Sequence, residues 1–132
     1  MRVLQQRVFA GAAAVRALFA HGWTPRVLAG ASLVLVALTA FLPWWRAVPQ
    51  EGESPFVPLH YNVYFGIDRF GPWQALFLPA AIGLAVLLVN VGMQAAFRVR
   101  EKMLAQFFAW ATLAVEAVLL VAVAFMVLLT LS

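Results

Sequence analysis

Three long apolar stretches, at 27–45, 73–97 and 103–131, constrain this chain more than any other feature. The hydrocarbon core of a bilayer is about 30 Å thick, and a helix needs roughly 20 apolar residues to cross it. The first stretch carries only Ser32 and Thr39 as hydroxyls, and the third is long enough to tilt or to project past one face. A water-soluble fold for the same residues meets a surface problem. The chain has 132 residues, 65% hydrophobic and 11% charged, against about 25% charged in soluble domains. So few charges cannot cover a surface facing water. The expected fold class is an all-α membrane protein, a single membrane domain with three transmembrane helices.

The cations give that domain a direction. Arg2, Arg7, Arg16 and Arg26 make the first segment +4, and Arg98, Arg100 and Lys102 against Glu101 make the 98–102 turn +2. Lys and Arg flanking spans favour the cytoplasmic side. Both basic segments therefore point the same way. The N-terminus and the 98–102 turn are expected inside, with the 46–72 loop and the C-terminus outside. Trp44, Trp45 and Trp73 then fall at outer span ends and Trp23 at an inner one, where interfacial aromatic belts lie.

Residues 3–20 form a separate element. At 100° per residue, Val3, Leu4, Val8, Val15, Leu18 and Phe19 share one arc, while Arg2, Gln5, Gln6 and Arg16 lie opposite, with Phe9 and Arg7 as exceptions. An amphipathic helix on the cytoplasmic surface is expected, its arginines among anionic lipid headgroups. The rival, a signal peptide, would have its apolar core interrupted by Arg16. Gly22 and Pro25 suggest a break before the first span.

The outer loop divides in two. Residues 49–58 are polar with three prolines and read as irregular. From 59 to 68, Leu59, Tyr61, Val63, Phe65 and Ile67 alternate with His60, Asn62, Tyr64, Gly66 and Asp68. Period two predicts a half-buried strand, the alternative being a short interfacial helix. A strand here needs a partner for its backbone. Gly71-Pro72 then turns the chain, with Pro72 suited to a first helical turn.

Candidate functional residues are few. Glu116 falls near the middle of the third span, where an acidic group costs about 3 kcal/mol. The neutral acid is expected there unless a cation pairs with it, and no Lys or Arg lies at that depth. Counting from the cytoplasmic boundary puts Thr39 and Gly83 level with it. Gly83 would admit close backbone approach and Thr39 would offer a hydrogen bond. An interhelical or intersubunit hydrogen bond and a proton- or cation-handling carboxyl are both open readings, as is contact with a ligand. Asn90 and Gln94 lie one turn apart on the second span, and antiparallel packing sets Gln94 near Gln106 and Asn90 near Trp110 or Thr112. Pro79 is expected to bend the second span. In the loop, His60, Tyr61, Asn62, Tyr64 and Asp68 form a candidate interaction face. The absence of cysteine removes disulfides, thiolate metal sites and cysteine nucleophiles. Neither a catalytic set nor a cofactor motif is present, so no enzyme activity and no cofactor are expected.

The segment PLHYNVYFGIDRFGPW, residues 58–73, resembles a signature of small uncharacterised bacterial membrane proteins, in which an LHYN-x-YFGID segment precedes a second span opened by GPW. Arg69-Phe70 stands where that signature has apolar residues. The resemblance implies a bacterial inner-membrane setting and an important loop, and brings no activity with it. The expected role is a non-catalytic membrane subunit packing with itself or with a larger complex. A small oligomeric transporter using Glu116, or an outer-face docking protein using 59–68, are the alternatives.

Overall fold

The computed structural model describes residues 2–46 and 56–130. The helices are α1 (Arg2–Ala20), α2 (Trp23–Arg46), α3 (Leu78–Phe97) and α4 (Lys102–Thr130). Between α2 and α3 stand two strands, β1 (Phe56–Asn62) and β2 (Gly66–Pro72), and a 3-10 turn, Trp73–Phe77. Among the described residues, three helical segments are long and apolar enough to cross a membrane: Trp23–Arg46, Trp73–Phe97 and Lys102–Thr130. The architecture is therefore mostly helical with a small sheet. Most of the proline-rich 49–58 stretch lies outside the described residues.

Each long helix buries one narrow stripe. On α2 it is Leu28, Ser32, Val36, Thr39 and Pro43; on α3, Ala80, Gly83, Leu87 and Gln94; on α4, Ala105, Ala109, Thr112, Glu116, Val123 and Val127. Steps of three, four and seven keep these residues on one side of a helix. The other faces carry exposed Leu33, Val34, Leu88, Val89, Val118 and Val121, which suits contact with lipid. The stripes are rich in small and hydroxyl residues, as membrane helix interfaces are when backbones approach closely.

The chain divides into two compact units, Met1–Leu33 with Leu84–Val115, and Val34–Gly83 with Glu116–Ser132. The first contains α1 and the α3–α4 turn. There Arg26 donates through Nε to the Phe19 carbonyl and through Nη2 to Ala20 O at 3.3 Å. His21 Nδ1 lies 3.2 Å from Ala17 O. These side chains satisfy carbonyls left open at the end of α1. Arg26 is thus occupied within the protein. Phe97 stacks on Phe108 with ring centroids 6.0 Å apart.

The second unit contains the hairpin, which departs from the expected single strand over 59–68. β1 pairs antiparallel with β2, from Phe56 opposite Pro72 to Asn62 opposite Gly66. The partner strand is the second half of the same segment, and Val63–Phe65 form the turn. Asn62 Oδ1 accepts from Tyr64 N at 2.9 Å, and Gly66 takes φ +74°. An Asn closing its own turn and a glycine in the left-handed region are the chemistry of a three-residue hairpin loop. The register shifts around His60, leaving Leu59 and Asp68 without direct partners. Two opposed irregularities keep the strands in step while re-aiming both side chains. Burial is also confined to the base of the hairpin: Val57 and Leu76 form a small core with Leu59, Trp73 and Met126.

The prolines take distinct positions. Pro79 sits at the second residue of α3, directly after the 3-10 turn, a position where the first helical turn tolerates proline. Pro72 ends β2 with extended backbone (φ −63°, ψ 143°), and the helical region begins at Trp73 as 3-10 before becoming α at Leu78. Pro43 lies well inside α2. It removes the N–H that would pair with the Thr39 carbonyl.

Candidate functional site

Glu116 is fully buried in the second unit, at 0% exposure. Its carboxyl lies against Gly83. A Cβ placed on Gly83 would run into Glu116 Oε2 and lie 3.2 Å from Cδ and 3.3 Å from Oε1. Only glycine leaves room for the carboxyl there. Neither carboxyl oxygen has a hydrogen-bond partner among the described residues. Thr39, expected to supply one, is fully buried but donates its hydroxyl to Leu35 O at 2.8 Å. Back-bonding to the i−4 carbonyl is the common choice for a threonine inside a helix. The same stripe on α2 therefore offers a threonine already engaged and a carbonyl deprived of its donor by Pro43.

The polar residues of α3 and α4 in the first unit are arranged differently. Asn90 Nδ2 donates to Thr112 Oγ1 at 2.8 Å, and that hydroxyl donates on to Phe108 O at 2.7 Å. Interhelical bonds of this kind contribute about 0.6–2 kcal/mol each. Gln94 is buried and Gln106 exposed; both line one cavity instead of a closed seam.

On the hairpin, His60 and Asp68 are joined, Nδ1 to Oδ1 at 2.6 Å, both partly exposed. They border a cleft of about 590 Å³ with Leu59, Arg69, Leu78 and Met126. Asn62 serves the turn and not a face. Tyr61 is exposed, and at the tip Val63, Tyr64 and Phe65 are 84%, 89% and 84% exposed. The expected half-buried apolar face of Tyr61, Val63 and Phe65 is thus absent; these residues project. Phe56 and Phe70 are exposed as well, which extends the apolar surface along the strands.

The tryptophans separate into two groups. Trp23, Trp44 and Trp45 are exposed, and Arg46 lies over the Trp45 ring at 4.8 Å. Trp73 instead packs on the Val57–Leu76 core and meets Phe77 edge-on at 5.8 Å. It is a structural residue of the hairpin base more than a free anchor. No protein family, curated protein or solved structure matches this chain.

Proposed function

We propose that this chain is a non-catalytic integral membrane subunit that docks, through its hairpin, onto copies of itself or onto a larger membrane complex. The observation that carries this is the projecting Val63-Tyr64-Phe65 tip on a two-stranded sheet. A two-stranded hairpin is marginally stable alone, and its open edges and apolar side chains gain from being covered. Aromatic side chains with open backbone edges are also a frequent basis for recognising another chain.

The frame for this role follows from charge. α1 lies on the cytoplasmic surface of a bacterial inner membrane, its Val3, Leu4 and Val8 side toward lipid and its arginines among anionic headgroups. The 98–102 turn shares that side, and the hairpin and C-terminus are outside. The positive-inside bias and the resemblance of residues 58–73 to small bacterial membrane proteins support this placement.

Replacing Val63, Tyr64 and Phe65 together by serine tests the docking role. After gentle extraction from the native membrane, the wild-type chain is expected in an assembly larger than its monomer, and the triple variant as a monomer with unchanged helical content. An unaltered assembly in the triple variant would remove the hairpin from the interface.

A second reading is favoured by one observation, the partnerless buried carboxyl of Glu116. Acidic residues inside a membrane commonly mark proton or cation paths. Glu116→Gln keeps the shape and abolishes titration. Flux in proteoliposomes that vanishes in this variant, with assembly intact, would favour transport over the subunit role.

A further inference from the structure

A second place in the molecule sets a largely buried polar side chain, Gln94, beside cations. Within the first unit, the α1–α2 corner and the α3–α4 turn enclose a cavity of about 450 Å³, inside the range usual for small-ligand pockets. His21, Thr24, Gln94, Arg98, Lys102 and Gln106 supply its polar lining. Gln94 is only 5% exposed, and its side-chain amide has no hydrogen-bond partner among the described residues. The amide faces the cavity, so a ligand held there can bond it directly.

The charges point to an anion. Among the described residues the ion pair present is His60–Asp68, so Arg98 and Lys102 have no carboxylate of those residues opposite them. Glu101 lies between Arg100 and Lys102 in sequence but does not line the cavity. Competing acceptors nearby are already taken: Gln94 O by Arg98 N at 3.0 Å, and Phe97 O by Arg100 N at 3.1 Å and Glu101 N at 2.7 Å. Lys102 also begins α4, whose first-turn N–H groups have no intrahelical acceptors and carry the positive end of the helix dipole. Arg side chains and helix starts together favour phosphate.

The rest of the wall decides the source of that phosphate. Leu18, Leu28, Ala105 and Ala109, all buried, continue the cavity away from the cations as an apolar surface. A free phosphate gains nothing from such a wall, whereas an acyl chain does. We propose that this cavity is a selective binding site for an anionic phospholipid, its phosphate held by Arg98, Lys102 and Gln94 and the start of its acyl chain against Leu28 and Ala109. The site is separate from the hairpin and does not depend on the docking role.

The test uses the full-length protein purified with an equimolar mixture of phosphatidylglycerol and phosphatidylcholine, with retained lipid counted by native mass spectrometry. Wild type is expected to retain phosphatidylglycerol selectively. Each cation near a headgroup contributes about 1 kcal/mol, so Arg98→Gln with Lys102→Gln should lower that preference about thirtyfold. Gln94→Leu should lower it with the charge unchanged, which keeps the test alive if the double variant folds poorly. Arg100→Gln, which removes one charge of the same turn outside the cavity, should leave it intact. Equal retention of the two lipids by wild type, or an equal loss in Arg100→Gln, overturns the proposal. Displacement of the lipid by millimolar inorganic phosphate would assign the site to a soluble anion and overturn it as well.

Discussion

Gly83→Ala is the sharpest probe of how the interior is built. The added methyl must share space with Glu116 Oε2, with Cδ and Oε1 only 3.2 and 3.3 Å away. The carboxyl is the end of a side chain, yet it is wholly buried, so moving it disturbs its neighbours. Overpacking of this kind costs about 1–3 kcal/mol. Replacing a helical glycine by alanine returns about 1 kcal/mol through propensity. The net expectation for Gly83→Ala is a destabilisation of about 0–2 kcal/mol. In a Glu116→Ala background the obstacle is gone, and Gly83→Ala should become stabilising by about 1 kcal/mol. The two changes should therefore couple by about 1–3 kcal/mol, a range that double-mutant cycles resolve. Reversible unfolding in mixed dodecyl sulfate and mild-detergent micelles, followed by helical circular dichroism, reads each corner of the cycle. Additive effects would refute the contact between Gly83 and the carboxyl.

Further outcomes follow from the same geometry. Glu116→Leu should stabilise the fold by about 1–3 kcal/mol in the same assay, because it removes a buried group that bonds nothing; a loss of stability would reveal a partner in the native assembly. Asn90→Ala and Thr112→Val should each cost about 0.6–2 kcal/mol and should add incompletely, since they share one bond, while Thr112→Val also ends the bond to Phe108 O. Gly66→Val forces a branched side chain into φ +74°, at a cost of at least about 1–2 kcal/mol, and should open the hairpin to limited proteolysis, while Gly66→Asn should not.

Much of the helical frame was readable because it is set by hydrophobicity over long windows, which a single residue cannot disguise. Depth counting placed Gly83 level with Glu116, and the carboxyl indeed rests on that glycine. The hairpin was misread for a local reason. Alternation continues through Val63 and Phe65, so the turn is hidden in the pattern, although Asn62 and Gly66 at its corners carry the turn chemistry. The 3-10 turn at Trp73–Phe77, which hydropathy does not distinguish from α-helix, moves the start of α3 to Leu78, beside Pro79. The phosphate-suited cavity was out of reach: its residues come from separate elements and share no spacing. Thr39 shows the limit of pairing by depth, since a hydroxyl in a helix has a carbonyl of its own to bond.

The central claim is that three helices cross a bilayer and put the α3–α4 turn and the hairpin on opposite sides. The chain lacks cysteine, so single cysteines at Val99, Tyr64 and Leu88 can be labelled with a membrane-impermeant maleimide without a background. Tyr64→Cys should react in spheroplasts, Val99→Cys only in inverted vesicles, and Leu88→Cys in neither. Labelling of Val99→Cys and Tyr64→Cys from the same side, or ready labelling of Leu88→Cys, would contradict the account.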